Sequence, residues 1–86
     1  MIKKSMVVEL DNGLEARPVA MLVQVACRYE SSIMLNTDSK EVNAKSIMGL
    51  MALGLTSGEK IVVTAEGTDE QQAIDGIEKY LSKKSA

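Results

Sequence analysis

The sequence predicts an α+β fold in the order β-α-β-β-α-β-α: a four-stranded, mainly antiparallel sheet with three helices on one face. Three observations predict it. Apolar residues recur every second position, or run together among β-branched residues, in four short segments. Between and after these segments they recur at three- and four-residue spacing, as the buried stripe of a helix does. Polar and glycine-rich turns separate the segments, with no repeat, low-complexity tract or linker, so residues 1–86 are expected to form one domain. A ferredoxin-like arrangement with an added helix satisfies the same order.

Met6, Val8 and Leu10 alternate with Val7 and Glu9 in the first strand, and Asp11-Asn12-Gly13 closes it. The first helix is entered through Leu14-Glu15-Ala16-Arg17-Pro18, because proline fits only a first turn, where its missing N–H is not needed. Val19, Leu22, Val23 and Ala26 form its core stripe, and Arg28 suits its negative C-terminal end. Ile33-Met34-Leu35 and Glu41-Val42-Asn43, joined by Thr37-Asp38-Ser39, read as a hairpin. Ser46 stands where an N-cap belongs, before a brief helix ended by Gly54 and Ser57-Gly58. Ile61–Ala65 is the clearest strand, and Gly67 ends it. Thr68-Asp69-Glu70-Gln71 has the spacing of a capping box for a last helix that buries Ala73, Ile74, Ile77 and Leu81. Lys79, Lys83 and Lys84 gather at its C-terminal end.

Composition excludes several functions. With no histidine and one cysteine, Cys27, the chain can build neither a four-ligand zinc site nor a disulfide. The imidazole that serves most acid–base and nucleophilic catalysis is absent, so neither an enzyme nor a cofactor is expected. A net charge of −2 with Tyr29 and Tyr80 as the only aromatics argues against direct nucleic-acid binding. No apolar run approaches the roughly 20 residues of a membrane span, and Glu9 and Asp11 interrupt any leader core after Lys3 and Lys4. A cytoplasmic location is expected. Cys27 reads as a small helix residue, not a reactive thiol.

The apolar surplus is the informative feature. From Ser46 to Gly58 there is no charge. With Leu50 and Leu53 turned to the sheet, Ile47, Met48 and Met51 fall outside the buried stripe, where a short helix ordinarily carries Lys or Glu. Methionine recurs on surfaces that bind several partners. Ala20, Met21 and Val25 are a similar surplus on the first helix. The alternative is that both sets cover a second edge of the core or a dimer seam. Two helix starts also suit an anion. Glu15 places a carboxylate at the first, near Arg17. Ser46, as N-cap of the second, could carry a phosphate beside Lys45. The plainer readings are a common acid–dipole contact and a simple cap.

Gly13-Leu14-Glu15-Ala16-Arg17-Pro18-Val19-Ala20 resembles the active-site segment of the HPr family, the histidine-containing phosphocarriers of the bacterial phosphotransferase system. Asn43-Ala44-Lys45-Ser46-Ile47-Met48-Gly49-Leu50-Met51 resembles its regulatory serine segment, and Ala65–Ala73 the junction into its last helix. The likeness spans essentially the whole chain and implies an open-faced β-sandwich with sheet order 1-4-2-3. It departs at one residue that matters: Glu15 stands where the family has its active histidine. Arg17, which supports the phosphohistidine in the family, is present. The combination resembles the Crh-like branch, which keeps the serine and has glutamine in place of the histidine.

The resemblance implies a regulatory protein phosphorylated on Ser46 by HPr kinase/phosphorylase. The phospho-form would dock on a catabolite-control transcription regulator through Arg17, Ala20, Met21, Val23, Ile47, Met48 and Met51. Enzyme I and Enzyme II proteins would be weak partners at most. A homodimer that exchanges first strands is a further expectation of the same resemblance. Two alternatives stand beside this reading. Glu15 could accept phosphate as an acyl phosphate, a residual carrier function, or the chain could be an HPr given an engineered active-site substitution.

Overall fold

Backbone pairing, more than apolar alternation, sets the limits of the strands. The computed structural model describes residues 1–9, 16–38, 40–54 and 58–82, with the backbone alone at 16 and 17. Its elements are β1 (Ile2–Val7), α1 (Ala16–Cys27), β2 (Ser32–Asn36), β3 (Glu41–Asn43), α2 (Ile47–Leu53), β4 (Lys60–Glu66) and α3 (Glu70–Leu81). The four strands form one antiparallel sheet in the order β1-β4-β2-β3. β4 is central because it pairs with β1 from Ile2↔Ala65 to Val7↔Lys60 and with β2 from Ser32↔Glu66 to Asn36↔Val62.

The predicted first strand needs correction. Pairing begins at Ile2, where the sequence shows no alternation, and stops at Val7. An edge strand is held by backbone bonds to one neighbour, so Lys3, Lys4 and Ser5 cost it little. Met6 and Val8 are buried as expected. Val8 is held beyond the strand, its N–H donating to the Glu59 carbonyl and its carbonyl accepting from Gly58 N–H. Leu10 lies outside the described residues.

One sheet face carries Met6, Ile33, Leu35, Ile61, Val63 and Ala65, and the helices cover it. α1 contributes Val19, Leu22 and Ala26, α2 contributes Leu50, and α3 contributes Ala73, Ile74, Ile77 and Leu81. Val23 and Leu53, expected in the core, are only half-buried at its margin. α1 packs against both α2 and α3. Among the described residues no helix is long and apolar enough to cross a membrane.

The start of α3 also differs from expectation. The capping box is not Thr68 with Gln71. The Glu70 carboxylate accepts from Gly67 N–H (3.2 Å), while the Asp69 side chain makes no cap bond. Asp69 instead accepts from the backbone N–H groups of Glu30 (2.9 Å) and Ser31 (3.0 Å) and from the Ser31 hydroxyl. It ties the entry of β2 to the start of α3. The Ser31 hydroxyl and then the Glu30 N–H hold its carboxyl below the ordinary 3.8. Glu70 is likewise held below 4.5, first by Gly67 N–H and then by the N-terminal ammonium 3.1 Å away.

Candidate functional site

The site is built outward from Asn43, where β3 ends. Its carbonyl accepts from Ser46 N–H (3.0 Å) and its side-chain oxygen from Lys45 N–H (2.8 Å). Ala44 between them is fully buried and donates its N–H to the Ile33 carbonyl of β2 (2.9 Å). The turn is thereby fastened to the sheet, and Ser46 leaves it in an extended conformation suited to an N-cap. Its hydroxyl oxygen accepts from Gly49 N–H (3.1 Å), and its carbonyl accepts from Leu50 N–H (3.1 Å). Ser46 as a residue is half-buried.

α2 ends at Gly54, whose φ of 63° is left-handed, the conformation that favours glycine at a helix C-terminus. Lys40 Nζ donates to the Ala52 carbonyl (3.1 Å) and satisfies one of the last orphan acceptors. Between the two caps the exposed apolar face predicted from the sequence is present. Met48 is 83% exposed, Met51 50% and Ile47 47%, while Leu50 is fully buried. No charged residue lies in the helix.

The other predicted site residues divide. Met21 is exposed, and Ala20 and Val23 are half-buried on α1, the helix packed beside α2. Arg17 lies in the first turn of α1, and its side chain is outside the described residues, as is all of Glu15. Lys45 does not stand free beside Ser46. Its Nζ donates to the Tyr29 carbonyl (2.8 Å), which occupies one of its three donors. Cys27, the last residue of α1, is an exposed free thiol.

The surplus on α1 does not all join α2. Met21 and Val25 instead line a groove on the α3 side, together with Arg28, Tyr29, Lys79 and Tyr80. Sequence reading missed this groove. Its one legible signal was that the chain's two aromatics sit at the end of α1 and near the end of α3.

Residues 2–83 match the family model described as the PTS HPr component phosphorylation site. The HPr-like protein Crh of Halalkalibacterium halodurans is 47% identical over 83 residues, 96% of this chain and 99% of that one. The crystal structure of HPr-C-His from Thermoanaerobacter tengcongensis superposes with a TM-score of 0.90 at 41% identity, covering 94% of this chain and 91% of that one. The crystal structure of Bacillus subtilis Crh, described as a catabolite repression protein in a swapped dimer, gives a TM-score of 0.79 at 42% identity, covering 100% and 99% of the two chains.

Proposed function

The chain belongs to the HPr family, and on that premise we propose that it is a cytoplasmic docking protein of carbon catabolite repression, switched by phosphorylation of Ser46. HPr kinase/phosphorylase is the modifying enzyme, and a catabolite-control transcription regulator is the partner of the phospho-form. Histidine phosphotransfer has no acceptor here, because the chain contains no histidine. Residues 1–86 act as a single HPr-like domain, consistent with the match over 2–83.

The observation that carries this reading is the pairing of Ser46 with the face of α2. The hydroxyl of a half-buried serine caps a helix whose residues Ile47, Met48 and Met51 are exposed with no charge among them. A phosphoryl group there adds roughly two negative charges and three acceptor oxygens. It lies at the positive end of α2, so the helix tolerates it. The free face is then purely apolar and the phospho-face is apolar with a dianion at its edge. Partners that supply cations prefer the second. Ala20 and Val23 extend the surface along α1, with Met21 at its far edge where the α3-side groove begins, and Arg17 supplies its positive charge.

The similarity to a protein described as a swapped dimer supports self-association by exchange of β1. β1 is an edge strand with a partner on one side only, so exchange would preserve its ladder with β4.

Incubation with HPr kinase/phosphorylase and ATP, followed by peptide mapping, tests the reading. Phosphate on Ser46 and none in Ser46→Ala is the expected result. Label from phospho-Enzyme I that hydroxylamine releases would instead place phosphate on Glu15 and restore a carrier function. Sedimentation at several concentrations tests the dimer, and a single monomeric species throughout would remove it.

A further inference from the structure

The groove between α1 and α3 carries chemistry that the Ser46 reading does not use. Met21 and Val25 fall at i and i+4 on α1, with Arg28 directly after its last residue, and Gly76, Lys79 and Tyr80 fall at i, i+3 and i+4 on α3. On each helix these positions share one stripe. The two stripes, Arg28 and Tyr29 line a groove of about 620 Å³ that is open to solvent. Gly76 makes this possible. A Cβ there would stand 2.2 Å from the Tyr29 hydroxyl oxygen, so the ring reaches α3 only because position 76 has no side chain. The second ring is fixed too, since the Tyr80 hydroxyl donates to the Pro18 carbonyl (3.1 Å).

Charge in the groove is one-sided. Arg28 and Lys79 are exposed; among the described residues no carboxylate lines the groove and neither cation forms an ion pair. The chain as a whole is net negative. Basic residues near helix C-termini complement the dipole, which accounts for where the two cations sit. It does not account for an apolar floor between them.

We propose that this groove docks an acidic segment of a partner protein that carries one large apolar side chain. The apolar side chain rests against Met21, Val25 and Tyr80, and the segment's carboxylates pair with Arg28 and Lys79. Charge selects this occupant. A basic or neutral segment would cover two cations and offer them nothing, which opposes binding. Nucleic acid would be repelled by the net-negative chain. The proposal stands apart from Ser46 phosphorylation and shares only Met21 with the surface beside α2.

An NMR titration of the ¹⁵N-labelled full chain with the peptide DEFDE, and with KKFKK as control, tests it. Shifts should concentrate at residues 21–29 and 76–80 with DEFDE alone. Arg28→Glu/Lys79→Glu should weaken binding about tenfold, as two rim contacts worth severalfold each combine. The neutral pair Arg28→Gln/Lys79→Gln should lose less, in the same direction, and Ser46→Ala should bind as the parent does. Absent shifts, shifts elsewhere, equal shifts with KKFKK, or equal groove shifts with AMP in place of peptide would each overturn the proposal. So would a concentration-dependent dimer whose contacts fill the groove.

Discussion

Ser46→Ala removes the one side-chain acceptor at the start of α2 and leaves Gly49 N–H without its partner at 3.1 Å. Loss of a serine N-cap costs about 1 kcal/mol, in a range of roughly 0.5–2. α2 has seven residues, so its first turn is half the helix, which argues for the upper part of that range. The helix is also fastened at both ends, through Asn43 and through Lys40, which limits how far the damage spreads. About 1–1.5 kcal/mol is the resulting expectation. For a chain of this size each kcal/mol lowers Tm by about 4–8 °C, and urea unfolding should show a lower midpoint with an unchanged slope. Ser46→Asp keeps an acceptor at the cap and should lie within about 0.5 kcal/mol of the parent. Such a loss is small against the roughly 5–15 kcal/mol of a stable domain. Ser46→Ala should therefore remain folded, and its failure to accept phosphate reports the missing hydroxyl and not unfolding. If Ser46→Ala melts with the parent, or if Ser46→Asp is as damaged as Ser46→Ala, the hydroxyl is not a cap and the argument for its position fails.

Three further outcomes follow from other contacts. Met48→Lys and Met51→Lys alter exposed side chains and should shift stability by no more than about 0.5 kcal/mol. They should nonetheless abolish docking of the phospho-form in a pull-down with the regulator; retained docking would remove α2 from the interface. Gly76→Ala should forfeit the roughly 1 kcal/mol that alanine normally gains in a helix, because its Cβ meets the Tyr29 ring. In a Tyr29→Ala background the same change should become stabilising, and additive melting data for the two substitutions would show that the ring does not lie there. The folded state depresses both Asp69 and Glu70 relative to 3.8 and 4.5. Their contribution is therefore fully present above about pH 5 and lost as pH falls through the folded values. Asp69→Asn should flatten the acid side of a plot of Tm against pH, whereas an unchanged acid limb would take Asp69 out of the linkage.

Much of this could be read from the sequence because the signals were periodic or local. Val19, Leu22 and Ala26, like Ile61, Val63 and Ala65, mark their buried faces by spacing alone. Ser46 and Gly54 act within one turn of themselves, and both caps fall where expected. Signals that depend on distant partners were less legible. β1 is defined by its ladder with β4, some sixty residues away, and its first half carries no pattern of its own. Asp69 looks like part of a cap but instead serves Ser31, the residue before β2. Lys45 is committed to Tyr29 by a bond across sixteen residues. Met21 and Val25 belong to the α3 flank because of how α1 packs, which no count along the helix reveals. The family resemblance carried what local pattern could not: the sheet order and the meaning of a missing histidine.

The most direct test of the central claim is affinity for the catabolite-control regulator, measured by titration calorimetry with the purified chain before and after treatment with HPr kinase/phosphorylase and ATP. A gain of at least tenfold on modification, with one phosphate at Ser46 and no gain for Ser46→Ala, is what the α2 face and its capping hydroxyl predict. Equal affinity of the modified and unmodified chains, with Ser46 fully phosphorylated, would contradict it.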